Sequence, residues 1–120
     1  GLIGGVEPTP RFLQAIRTFE GSGLDEYEAL DPPLAYEVPE GVSAQCVYFR
    51  GGNSSEHLVC VVLTRDGDPM RLFPIGARDA VDVPLRITES LLTDSLLELH
   101  VAAPLGATGT IVLDLGILEL

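Results

Sequence analysis

The 120-residue sequence has no Lys, no Trp and only two Cys, and its seven basic residues, all Arg, face 18 acidic ones. Each scarcity excludes something. A formal net charge of -11 sets the surface potential against phosphate backbones and anionic bilayers, so no nucleic-acid partner is expected. Two Cys cannot build a disulfide framework. Cys46 and Cys60 both lie inside apolar runs, where a free thiol behaves as a small hydrophobe, and both are expected to stay unpaired. No run approaches the roughly 20 apolar residues of a membrane helix, which predicts no membrane insertion. The two His, His57 and His100, lack zinc-type spacing, and no glycine cluster has the strand–turn–helix setting of a phosphate loop, so no cofactor is expected. Aromatic residues are only 6% of the chain, which leaves few rings for stacking on sugars.

What is present is apolar material. Hydrophobic residues make up 46% of a chain long enough for one domain with one core. Thr9-Pro10 has the form of an N-cap followed by Pro at the first helical position, and Phe12, Ile16 and Phe19 recur at helical spacing until Gly21 and Gly23. This predicts a short amphipathic helix packed on the rest of the domain. From residue 20 to residue 40 the acids Glu20, Asp25, Glu26, Glu28, Asp31, Glu37 and Glu40 meet no base, and Asp31-Pro32-Pro33 interrupts them. That reads as an irregular solvated connection, or as a surface for a cation-rich partner.

After Pro33 short apolar runs alternate with turn chemistry, the texture of an all-β domain. Strands are expected near residues 34–38, 44–50, 57–64, 70–75, 81–88, 96–103 and 110–120, with hairpin loops at 51–55 and 66–68. The predicted fold is mostly β: a single-domain antiparallel β-sandwich, jelly-roll or Ig-like, of about seven strands with a short N-terminal α-helix. Residues 1–33 form an arm, helix and acidic connection packed on the sandwich, and residues 34–120 form the sandwich itself. Pro84 marks its run as an edge strand, because an interior strand needs every N–H. Residues 57–64 are apolar on both faces, so the side turned away from the opposite sheet needs a second cover: the helix, a loop or another chain. In the closing run Gly116 separates Asp114 from Leu118 and Leu120 on one face, which predicts a bulge or bend at the glycine.

Candidate chemistry is sparse. Ser54 or Ser55 with His57 lies in a loop without a nucleophile elbow, which argues against an enzyme. Asp66, Asp68, Asp79 and Asp82 are weak candidates for Ca²⁺, whose preference is for hard oxygen ligands, but Asp-Gly-Asp also suits a tight turn. A small polar ligand site is expected to use Tyr48, Arg50, Asn53 and Arg65. The chain is therefore predicted to be a non-catalytic structural or interaction protein, a β-sandwich subunit that self-associates or docks into a larger assembly. The alternative is a small-ligand-binding accessory domain with its site in the loops at one sandwich end. Partners would be a second copy or another protein, met through Leu2 and Ile3 of the Gly-rich arm and through Leu118 and Leu120.

Overall fold

A computed structural model describes residues 7–86 and 88–120; the proposed contacts of Leu2 and Ile3 lie outside them. The described chain forms eight strands: β1 (Thr9–Glu20), β2 (Gly23–Glu37), β3 (Ala44–Asn53), β4 (Val59–Arg65), β5 (Asp68–Ile75), β6 (Ala80–Pro84), β7 (Leu96–Ala103) and β8 (Thr108–Glu119). They make two four-stranded antiparallel sheets, in the orders β1-β8-β3-β6 and β2-β7-β4-β5. Consecutive strands lie in different sheets throughout, except for the β4–β5 hairpin. In its turn Asp66 and Gly67 have φ of 52° and 87°, the left-handed pair that matches strand twist in a two-residue loop. The predicted hairpin at 51–55 does not form, because β3 runs on to Asn53 and the loop after it crosses to the other sheet.

The predicted N-terminal helix is absent, and no helix among the described residues is long and apolar enough to cross a membrane. Residues 9–20 hold two apolar patterns at once. Phe12, Ile16 and Phe19 fit a helical stripe, but Leu13, Ala15 and Phe19 also fit a two-residue repeat. The strand wins because it pairs along its whole length with β8, from Thr9 opposite Glu119 to Glu20 opposite Thr108, without a register break. Leu13 and Phe19 then pack against the core, and Phe12 and Ile16 turn outward. The acidic stretch is likewise mostly strand: β2 pairs with β7 through two irregularities, between Gly23 and Glu28 and between Ala29 and Leu34, where acids and prolines collect. Strands one and two therefore supply one edge of each sheet, and the total is eight rather than about seven.

The sandwich-like interior is filled by alternate residues of both sheets. Ile111, Leu113, Leu115 and Ile117 of β8 face a layer that includes Val59, Val61 and Leu63 of β4 and Leu97, Leu99 and Val101 of β7. Phe49 of β3 stacks on Phe73 of β5 across the layers, ring centroids 4.2 Å apart at 9°. Such a pair adds about 0.5–1.5 kcal/mol to the burial of its area. On the outer side of the second sheet Val62 is buried, and Tyr27 of β2 meets His100 of β7 edge to face at 5.1 Å. Cover for the doubly apolar strand thus comes in part from its neighbours' side chains and not from a helix.

β8 keeps its alternation through Gly116, where the predicted bulge does not occur. The extra residue is Val47 on the partner strand: Cys46 lies opposite Ile117 and Tyr48 opposite Gly116. Unbroken alternation brings Glu119 inside, and it is buried. Its carboxylate accepts a hydrogen bond from the Tyr36 hydroxyl of β2 and pairs with the Arg11 Nε of β1 at 3.3 Å, so one acid ties three strands and both sheets. Burial, then the bond to Glu119, pushes the Tyr36 phenol well above its ordinary range. Burial also pushes the Cys46 thiol up to about 11.

Both groups favour their neutral forms in the folded state, so the stability they contribute is intact below their unfolded pKa values and is lost as pH rises toward the folded ones. Urea midpoints should hold steady through neutral pH and fall from about pH 9 upward. Cys46→Ala should flatten the decline between about 9 and 11, and Tyr36→Phe the decline above about 10. Equal slopes in wild type and Cys46→Ala would show that the thiol is not held neutral by burial.

Candidate functional site

The outer face of the β1-β8-β3-β6 sheet carries three cross-strand rows. In the middle row Gln14, Asp114, Arg50 and Asp82 stand opposite one another on all four strands. On one side of it lie Phe12, Gly116, Tyr48 and Pro84, and on the other Ile16, Val112, Gly52 and Ala80. The period of two that puts core residues inside puts this set outside.

The middle row is a chain of polar contacts. Gln14 Nε2 donates to Asp114 Oδ1 at 3.2 Å, and the Tyr48 hydroxyl donates to the same oxygen at 2.8 Å. Arg50 Nε lies 3.4 Å from Asp82 Oδ1, and its guanidinium sits 5.0 Å from the centre of the Tyr48 ring. Both Arg50 and Asp82 are solvated, so their pair contributes about 0–1 kcal/mol and serves mainly to set side-chain direction. Partial burial, then the bond to Asp114, raises the Tyr48 phenol above its ordinary range. The ring itself lies on Gly116, where any Cβ would overlap it. Glycine at this position of a strand is explained by the close approach of an aromatic ring.

Phe12 is 54% exposed, Ile16 67% and Val112 44%. They flank the polar row, and Gln14, Ala15, Ile16, Val112, Leu113 and Asp114 line a shallow depression of about 400 Å³. Among the exposed large hydrophobics of the described residues, these three share one sheet face and adjacent strands. Leu118 continues that face half-buried beside Pro10, and Leu120 is exposed past the strand end, its N–H bonded to the Ser43 carbonyl at 2.8 Å.

The four predicted ligand residues are not brought together. Tyr48 and Arg50 meet on the sheet face. Asn53 is buried, its Nδ2 donating to the carbonyls of His57 at 2.8 Å and Gly76 at 3.0 Å while its Oδ1 accepts from the Ser55 N–H at 2.9 Å. It is a loop tie with its hydrogen bonds used. Arg65 lies at the far end of β4 from the 54–58 loop. Six strand steps of about 3.3 Å separate those ends by roughly 20 Å, too far for the two loops to share one small ligand.

The acids proposed for Ca²⁺ divide in the same way, with Asp66 and Asp68 at the start of β5 and Asp79 and Asp82 beyond its far end. Asp66 accepts from the Leu96 N–H at 2.8 Å, Asp79 from the Ala80 N–H at 2.8 Å, and Asp82 pairs with Arg50. Among the described residues no group of three or more His, Cys, Asp or Glu is gathered as a metal site would need. Ser55 Oγ bonds to the His57 main chain, donating to its carbonyl at 3.1 Å, and Ser54 Oγ accepts from the Thr110 N–H at 2.8 Å. Cys46 and Cys60 are both free, one inside the first sheet and one on the outer side of the second.

Sequence reasoning singled out Tyr48 and Arg50 but missed Phe12, Gln14, Ile16, Val112 and Asp114 as their neighbours. The usable signal was the even-numbered spacing of Phe12, Gln14 and Ile16, which the helical reading obscured.

No family model and no curated protein sequence matches the chain. Among solved structures, an exo-β-1,3-galactanase from Phanerochaete chrysosporium, in a crystal structure with galactose, aligns with it at a TM-score of 0.39 and 13% identity. The alignment covers 90% of this chain and 29% of that one, so the chain spans less than a third of the galactanase. So distant a likeness carries no functional conclusion.

Gly116→Ala should lower stability by about 1–3 kcal/mol, as overpacking does. In a double-mutant cycle with Tyr48→Ala the two losses should fall short of additive by at least about 0.5 kcal/mol, because the ring is what the new methyl strikes. Additive losses in urea denaturation would remove the ring-on-glycine contact as the cause.

Proposed function

We propose that the chain is a non-catalytic structural subunit, an eight-stranded jelly roll that self-associates through the outer face of its β1-β8-β3-β6 sheet. The strand orders of the two sheets and the repeated crossing between them support the jelly-roll reading. The observation that carries the function is the banding of that face: exposed Phe12, Ile16 and Val112 on either side of a polar row that spans the sheet. Clustered apolar side chains on a sheet face mark an interaction surface more than isolated ones do.

A second copy is the occupant that suits this surface. A two-fold interface must be complementary to itself. Along the polar row Arg50 lies between Asp114 and Asp82, so rotating one copy over another can set each guanidinium against the other's carboxylates. The apolar rows then meet apolar rows. Ser55 and Asn53 support the non-catalytic part, since both are engaged in holding the 54–58 loop.

Association of two bodies that each carry -11 is opposed by long-range repulsion, which salt screens. Sedimentation velocity over about a hundredfold dilution should show mass rising above 12.8 kDa with concentration, more strongly in about 0.5 M NaCl than in about 0.05 M. Val112→Lys with Ile16→Lys should hold the particle at monomer mass with its fold retained. A wild type that stays monomeric at every concentration and salt removes this reading.

A further inference from the structure

We infer that the free edge of β1 docks an extended, basic segment of a partner protein, which adds to the sheet as a fifth strand with cationic side chains set against the acids of β2. The four sheet edges differ in how they are protected. β6 has five residues and ends in Pro84. β5 contains Pro69 and Pro74 and has a register break against β4 between Leu63 and Thr64. β2 has two irregularities and carries Pro32 and Pro33. β1 runs for 12 residues in unbroken register with β8, and after Pro10 it contains no further proline. Its inward charges are both engaged, Arg11 with the buried Glu119 at 3.3 Å and Arg17 through Nη1, which donates to the Ile16 carbonyl at 3.1 Å. Short length, proline and bulges are what keep edges from pairing, and β1 has least of them.

The chemistry of the partner follows from what lies beside that edge. Between the end of β1 and the middle of β2 is a cleft of about 300 Å³, with Phe19, Leu30, Val101 and Ala103 below and Glu20, Glu28 and Asp31 at its margin. No ion pair among the described residues reaches Glu20, Asp25, Glu26, Glu28 or Asp31. A strand laid on β1 points alternate side chains toward the interior side. Arg or Lys there rests its aliphatic stem on the apolar floor and its charge among the carboxylates. Backbone bonds supply the strand addition, and the acids select the sequence. Charge argues against a second copy here, because it would bring two β2 acid rows together. This surface is the edge, separate from the sheet face proposed for self-association.

The test uses a fluorescent, end-blocked peptide of about ten residues alternating arginine and valine, long enough for one strand. It should bind in dilute salt, weaken as salt rises, and slow hydrogen exchange at alternate amides of β1 while leaving β5 and β6 unchanged. Glu28→Gln with Asp31→Asn, both solvent-exposed changes, should weaken it by about tenfold, and Val112→Lys, on the sheet face, by less than about twofold. N-methylation of either the arginine or the valine amides should abolish binding in one of the two peptides. No binding, equal binding by both methylated peptides, or protection at another edge overturns the proposal. Loss of self-association with intact peptide binding overturns only the sheet-face reading.

Discussion

Because β8 is paired on both sides, to β1 and to β3, its two-residue alternation cannot slip by one position without turning its apolar set outward and losing its match to two strands at once. That constraint runs through the whole molecule. It places Ile111, Leu113, Leu115 and Ile117 in the core and carries Glu119 inside with them, where Tyr36 and Arg11 satisfy the carboxylate. The same parity puts Val112, Asp114 and Gly116 outside. Asp114 then joins Gln14 to Tyr48, and Gly116 becomes the bed of the Tyr48 ring. The one irregularity the register needs is accommodated on β3, at Val47, where the partner strand is free to take an extra residue.

Two surfaces emerge from this arrangement, and they differ in physics. The sheet face is banded, with apolar rows flanking alternating charge, and the self-association proposed for it would be opposed by net charge and helped by screening. The β1 edge is backbone chemistry beside exposed carboxylates that form no ion pair among the described residues, and the docking proposed for it would be driven by charge and weakened by salt. Both depend on β1 being a strand, since a helix at residues 9–20 would leave β8 as an edge and Phe12 and Ile16 against the core.

That element is also where sequence reasoning failed. Thr9-Pro10 and the Phe12, Ile16, Phe19 spacing are sound local helix signals, but the segment also alternates, and pairing of 12 residues with β8 decides between the two. Partner strands a hundred positions apart leave no trace in a local window. The acidic stretch was misread for a similar reason: β2 tolerates acids and prolines because it is an edge and its irregularities put them in solvent. Gly116 was correctly seen as anomalous, yet its cause, a ring from another strand, is invisible along β8 alone. The split of Arg65 from Asn53 followed the direction of β4, which loop composition does not encode.

The sequence by itself determined that this is a mostly β, single-core, strongly acidic chain, because alternation, turn residues and charge are local properties that survive in any arrangement. It also located the proline-marked edge at β6 and the Asp66-Gly67 turn, where one residue type has one backbone consequence. Tertiary structure alone decided that the N-terminal segment is a strand, which residues share the outer face, and that β1 and β2 each form a sheet edge. Those outcomes depend on pairing between distant segments, whose energy enters only when the partner strand is in place.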